Sequence, residues 1–410
     1  MTSHPEQIAE VMGTLSEEQG VVITSIIEDI NNQHKITALL GSAGTGKSVT
    51  AAALSEVLEI TGRKYEMAAP THRAASVLRE KSGRPVKTLH QASMKPRFKK
   101  PMQDLMNWAN EGFSGHAPGS SCVEWPGLYD IEGLTPDHDI VKMLDITLSD
   151  YITKWVPADY KGGTLIVDEA SMVCAEQLDC AFKVFDTLVM VGDPNQLPPV
   201  KGEPVWDIIP AERQHTLKQV FRQADGSPII DIAAKARETG RIVASIDNYT
   251  ATHARNGVPL ICWRNKTRRD RTLAIREMLG YGTDIEVGEP IVCKSSRKTD
   301  QADGLFNNSL WTVTAVDGDM VELTGDSGIV VNRKLAMDEF DETVGVPCQF
   351  GYAITCHTSQ GSEWPVVAID KQDADAHYSV NEKMMHDDAR KWAYTAVTRA
   401  KSELFMGVMS

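Results

Sequence analysis

The sequence predicts an α/β protein of two parallel-sheet domains, each interrupted by an insertion, the second insertion being a small β-barrel. Three observations carry this expectation. Apolar runs that end in Gly, Pro or Asp alternate with helix-prone stretches, the pattern of a parallel sheet covered by helices. One such run opens into the glycine-rich "GSAGTGKS". Short β-branched segments separated by Asp-Gly and Ser-Gly turns cluster between residues 286 and 346. The chain has 410 residues, 42% of them hydrophobic, enough material for two or three domains with their own cores.

Taken in order, "ITALL", "KYEMAAP", "GTLIVDEA" and "DTLVMVGD" read as strands of the first domain, assigned to residues 1–90 and 162–205. Residues 91–161 break the alternation: the stretch is rich in Gly, Pro and Ser, lacks a clear period, and reads as an insertion. The second domain is assigned to residues 206–285 and 347–410. Its helix "SPIIDIAAKARETG" sets Ile229, Ile232, Ala233 and Ala236 at helical spacing and ends at Gly240, a suitable cap. "VPLICW", "QFGYAITCHTSQG", "PVVAID" and "ELFMGVM" supply strands of its sheet. Between them, "EPIVCK", "LWTVTAVDGDMVELT" and "GIVVNRK" make the barrel, over residues 286–346.

Composition narrows the function. No run of about 18 apolar residues occurs, and the first twenty residues have neither a basic segment nor an apolar one, so the expectation is a cytoplasmic protein without a membrane span. Seven cysteines without a C-x-x-C pair point to reduced thiols rather than a disulfide frame or a zinc site. The net charge is −14, yet residues 61–100 hold 11 Lys/Arg against 2 Asp/Glu, and residues 263–276 hold 6 against 1. These two basic islands suit either a phosphate backbone or solvated helix faces.

The chemistry concentrates in a few motifs. Gly41 to Ser48 fits G-x-x-x-x-G-K-[ST] between a strand and a helix, the phosphate-binding loop: Gly41, Gly44, Thr45 and Gly46 supply backbone N–H groups, and Lys47 and Ser48 open the helix. Asp168 and Glu169 end an apolar strand. The aspartate can share Mg²⁺ with Ser48, and the glutamate can orient and deprotonate water. Gln196, in "GDPNQLPPV", is placed to sense a γ-phosphate, because an amide both donates and accepts. Arg222 and Arg399 can reach across from the second domain to the transferred phosphate. The set points to ATP hydrolysis with Mg²⁺.

In order, "SEEQG", "GSAGTGKS", "AAPTHRAA", "KTLHQ", "VDEAS", "GDPNQLPPV", "VFRQ", "AITCHTSQGSEWPVV" and "YTAVTRA" resemble the motif series of superfamily 1 helicases, most closely the RecD-like, Dda-type branch of the B subclass. The resemblance runs from Leu15 to the C-terminus. It implies two RecA-like domains and an SH3-like barrel. It also implies that Gln19 contacts the adenine and that Gly361 and Glu363 lie near the ribose and phosphates. Pro70, Thr71, His72, Thr88 and His90 would line a single-strand path on the first domain, and Thr355, His357 and Ser359 would line it on the second. Phe98, among basic side chains, suits either stacking on a base or the core of the insertion.

The expected function is an ATP- and Mg²⁺-dependent DNA helicase that moves 5′ to 3′ on single strands and opens forked duplexes, the polarity resting on the resemblance alone. It implies a monomer, a phage or bacterial origin, and a role in replication, recombination or repair in which a protein partner can take part. Two other readings stay open. One is a single-strand translocase that displaces proteins with little unwinding, because the insertion at 91–161 is longer than the wedge hairpin usual there. The other is a nucleotide-switched DNA-binding module.

Overall fold

The computed structural model describes residues 4–98, 152–159, 162–221, 228–295, 297, 300, 303–325, 328–337, 345–384 and 387–409. The first sheet begins with β1 (Ile36–Gly41), β2 (Tyr65–Ala69) and β3 (Val86–Thr88). The chain then leaves it for an antiparallel ribbon of β4 (Met94–Phe98) and β5 (Ile152–Pro157), in which Met94 faces Pro157. It returns as β6 (Thr164–Val167), β7 (Thr187–Gly192) and β8 (Gln214–Leu217). The order across this parallel sheet is β3-β2-β6-β7-β1-β8. β1, β6 and β7 are buried along their whole length, which explains why they read as unbroken apolar runs: helices cover both faces. One face packs on Ile23, Leu54 and Leu58, the other on Leu178, Phe185 and Trp206.

The second sheet takes β9 (Ser245–Asn248) and β10 (Leu260–Cys262) before the chain enters the barrel: β11 (Pro290–Cys293), β12 (Leu310–Asp317), β13 (Met320–Gly325), β14 (Val330–Ala336) and β15 (Val346–Phe350). It resumes as β16 (Ala353–Thr355), β17 (Trp364–Asp370) and β18 (Ala400–Val408), in the order β16-β10-β17-β18-β9. The barrel is closed and five-stranded, with the interior filled by Ile291, Trp311, Val313 and Leu323. The expected α/β class, the two parallel sheets and the inserted small barrel are all present.

Two boundaries fall elsewhere than expected. β8 pairs with β1 from Ala38↔Gln214 to Gly41↔Leu217, so the first sheet runs on past residue 206. "QHTL" gives little sign of this, because an edge strand needs no apolar run. The barrel likewise continues beyond residue 346, since β15 pairs with β11 through Cys293↔Cys348. The single apolar stretch "VPCQFGYAIT" serves two sheets. It changes over at Gly351, where an added Cβ would come within 3.3 Å of Pro290 and Val292 side-chain carbons.

Candidate active site

β1 delivers the chain to the glycine-rich loop, which turns at Gly44 (φ +85°) and Gly46 (φ +81°) before the helix Lys47–Ile60. Gly46 has a second reason to be glycine: a Cβ there would lie 2.6 Å from Gln19 Nε2. The Gln19 Oε1 accepts the Ser16 N–H (3.0 Å), completing a capping box on the helix Glu17–Asn31. Gln19 thus lies against the phosphate loop with one end and caps its own helix with the other.

The loop and the strand ends beside it form a cleft of about 280 Å³ between the two domains. Lys47, Ser48, Asp168, Glu169, Gln196, Gly361, Glu363 and Arg399 all line it, together with Gly44 and Gly46. Lys47 Nζ donates to the Ser42 carbonyl (2.9 Å), and Ser48 Oγ donates to Asp168 Oδ2 (3.0 Å). A hydroxyl and a carboxylate held this close are hard oxygen donors, the set that suits Mg²⁺. Asp168 Oδ1 accepts the Glu169 N–H (2.8 Å), and Glu169 itself adopts φ +54°. Burial first, and then the Asp168 carboxylate, push the Glu169 carboxyl above its usual range, while Arg399 and Lys47 pull it back in part.

The second domain closes the cleft. Arg399 is buried and held on its own side: Nε donates to the Thr395 carbonyl (3.0 Å), Nη1 to the Ser362 carbonyl (3.2 Å) and Nη2 to Thr398 Oγ1 (3.1 Å). Arg73 Nε of the first domain donates to Ser362 Oγ (2.5 Å), and Gly361, at φ +74°, passes over Ala74. Gln196 Oε1 is buried with no hydrogen-bond partner among the described residues. Arg222 lies outside the described residues.

The residues expected along the strand path share one construction. Thr71 follows β2, Thr88 and Thr355 are the last residues of β3 and β16, and each caps the next helix by accepting a backbone N–H, from Ala74, Gln91 and Thr358 respectively. A histidine follows each within two residues. His72, His90 and His357 are all held below the usual imidazole range, chiefly by burial, so they are neutral near pH 7. His72 stacks on Phe306 of the barrel at 4.6 Å, and His90 meets Trp155 of the ribbon edge-on at 4.1 Å. Pro70 is half-buried at the start of this series. Ser359 departs from the expectation: it is fully buried and its hydroxyl donates to the Cys356 carbonyl, so it is a packing residue of its helix. Phe98 ends β4, and its side chain lies outside the described residues.

The second basic island also departs from the phosphate-binding alternative. It forms the helix Asn265–Leu279. There Arg264 pairs with Asp373, Arg271 with Asp370 and Arg276 with Glu289, and Arg268 is buried. The pairs with Asp370 and Asp373 stay within the second domain, and the pair with Glu289 ties it to the barrel.

Sequence reasoning missed Tyr394, Thr395, Phe306 and Trp155. A signal existed for the first: a tyrosine inside the buried run "WAYTAV" needs a hydrogen-bond partner.

A family model described as an AAA domain matches residues 14–256, and one described as a UvrD-like helicase C-terminal domain matches residues 350–406. The chain is 26% identical over 435 aligned positions to the ATP-dependent RecD2 DNA helicase of Deinococcus radiodurans, covering 95% of this chain and 48% of that protein. It therefore spans about half the length of the curated relative it matches. Among solved structures, it resembles Pif1 helicases studied at forked double-stranded DNA (TM-score 0.53, 17% identity, 96% of this chain and 92% of that one). Pif1 from Candida albicans gives a TM-score of 0.51 at 18% identity, with 95% and 94% covered. Bacteroides Pif1 bound to single-stranded DNA gives 0.52 at 18% identity, with 96% and 92% covered. Described helices include none long and apolar enough to cross a membrane.

Proposed function

Because the chain belongs to the RecD/Pif1-like branch of the superfamily 1 B-subclass helicases, we propose that it hydrolyses ATP to move 5′ to 3′ along single-stranded DNA and to open duplex ahead of it. The observation that carries this reading is the meeting of Lys47, the Ser48–Asp168 pair, Glu169 and the second-domain Arg399 in one cleft. Nucleotide binding there draws on both domains, so it favours the closed arrangement and its loss favours the open one.

In this reading each residue takes a definite role. The loop N–H groups and Lys47 hold the phosphates, Lys47 exchanging the Ser42 carbonyl for a phosphate oxygen. Ser48 and Asp168 would hold Mg²⁺, which when bound neutralises charge on the phosphates. Glu169, with its raised pKa, takes the proton of the attacking water. Gln196 faces the γ-phosphate, and Arg399 stabilises the charge that develops there; the same role is proposed for Arg222 on its motif "VFRQ" alone. Gly361 and Glu363 border the sugar and phosphates, and Gln19 supports the loop on the adenine side.

The strand path follows the threonine caps and histidines of both sheets, at the C-terminal ends of β2, β3 and β16. That a Pif1 helicase of the same fold is bound to single-stranded DNA supports the substrate class. Single-stranded and forked DNA are accordingly the partners in this reading, with a monomer in the cytoplasm as the working form. Duplexes carrying a tail at the 5′ or the 3′ end test it, with ATP and Mg²⁺ and a Lys47→Ala control. Opening only from the 5′ tail, lost in the control, supports the whole reading. ATP turnover on single strands without opening of either duplex replaces it with translocation, and binding without turnover replaces it with a switch.

A further inference from the structure

Two consecutive residues of the second domain hold both ends of the loop that carries Gln196. Tyr394 is 3% exposed. Its hydroxyl donates to Asp193 Oδ2 (2.6 Å) and accepts the N–H of Ala43 in the phosphate loop (3.1 Å). The other oxygen of Asp193 accepts from both the backbone N–H and the Nδ2 of Asn195, each at 3.0 Å, which turns the chain just before Gln196. Just beyond Gln196, the Leu197 N–H donates to Thr395 Oγ1 (2.9 Å), and the Leu197 carbonyl accepts from Gln360 Nε2 (3.4 Å).

The anchors on either side of Gln196 thus sit on one helix, Asp388–Val397, of the opposite domain. The same helix receives Arg399 Nε on its Thr395 carbonyl. A hydroxyl donating to a buried carboxylate is a charge-assisted bond, stronger than a neutral one, and it exists only while the helix is seated. Opening the cleft would break the Tyr394 and Thr395 bonds together. Gln196 would then lose both constraints at once, and its buried, unpartnered Oε1 marks it as a group waiting for a ligand.

We propose that Tyr394 and Thr395 are positioning residues that make Gln196 competent only when the second domain is seated, and so tie ATP hydrolysis to closure of the cleft. The proposal rests on the reading above that Gln196 faces the γ-phosphate.

The test is steady-state ATP hydrolysis by the full chain, with and without single-stranded DNA, for Tyr394→Phe, Thr395→Val, Gln196→Ala and the double variant Tyr394→Phe/Gln196→Ala. Tyr394→Phe keeps the ring and removes only the hydroxyl. It should lower the DNA-stimulated kcat about tenfold, the effect of losing one hydrogen bond to a charged group, and leave the KM for ATP within about twofold. In the Gln196→Ala background the same substitution should cost nothing further, because the residue it positions is gone. Thr395→Val should repeat the pattern and stands in should Tyr394→Phe fold poorly. An equal loss in the Gln196→Ala background, or a raised KM with kcat unchanged, overturns the proposal and leaves the tyrosine a packing group. Wild-type protein that shows no hydrolysis sensitive to Lys47→Ala overturns the functional reading itself, and the proposal with it.

Discussion

Glu169 combines a left-handed backbone conformation with a carboxyl pushed above its usual range by burial and by Asp168. A general base works only when ionised, so raising its pKa moves the acid limb of the rate profile upward. The DNA-stimulated kcat/KM should therefore rise with pH through a value above the ordinary glutamate range. Glu169→Gln should remove that limb and lower kcat by about 10² to 10⁴ while still binding a nonhydrolysable analogue. A profile flat down to the ordinary range would take the base role away from Glu169. A second titrating residue affects stability instead: His377 lies between Trp263 and Trp392, with Asp373 and Asp388 nearby, and burial pushes it down to about 4. The unfolded chain takes up this proton first, so the stability it confers is complete above about pH 6.5 and is lost as pH falls toward 4. The unfolding free energy from urea titrations should drop between pH 7 and pH 5, by about 2 kcal/mol from this group, and His377→Phe should flatten that drop. At this scale the sequence was legible wherever partners are close along the chain or the spacing itself carries the chemistry, as from Gly41 to Ser48. Tyr394 was not, because its partners Ala43 and Asp193 stand 351 and 201 positions away.

Elements show the same division. Strands buried on both faces announced themselves as apolar runs, whereas β8, a polar edge strand, and β15, which shares an apolar run with β16, did not. The join between barrel and second domain depends on a contact equally hard to read. Arg276 Nε and Nη2 meet the Glu289 carboxylate at 2.8 and 3.2 Å, Glu289 is fully buried, and the guanidinium lies 3.9 Å over the Phe350 ring. Glu289 also accepts the Glu286 N–H (2.9 Å), so it sets the chain's entry into β11. In the sequence, Arg276 is one of six basic residues in an island that equally suited solvent or a phosphate backbone. Arg276→Leu would leave a carboxylate buried without its cation, a defect that costs about 3 to 5 kcal/mol. Chemical denaturation should report a loss of that size, and Arg276→Leu with Glu289→Leu should recover much of it. A single variant as stable as wild type would show that the barrel is held by its apolar contacts alone.

For the molecule as a whole, the consequential feature is that the nucleotide cleft and the strand path proposed above draw on the same two sheets. The loop after β2 holds Thr71 and His72 of the proposed strand path, and the helix it opens, His72–Ser82, sends Arg73 to Ser362 and Ala74 under Gly361 at the nucleotide cleft. On the other domain, Thr355 and His357, assigned above to the proposed path, lie within a few residues of Gly361, which lines the cleft. A ligand that closes the cleft must therefore change the spacing of the two halves of the path. If so, linkage requires the effect to be mutual: the factor by which a nonhydrolysable ATP analogue changes single-strand affinity equals the factor by which the strand changes analogue affinity. Fluorescence anisotropy of a labelled oligonucleotide, titrated with and without saturating analogue, and the converse titration of a labelled analogue, should give the same factor, of about 5 to 150. Tyr394→Phe should shrink both numbers together, because it weakens the closed state that each ligand selects. A factor of one in wild type would mean that the two sites do not communicate through closure, and hydrolysis could then drive movement only by some other route.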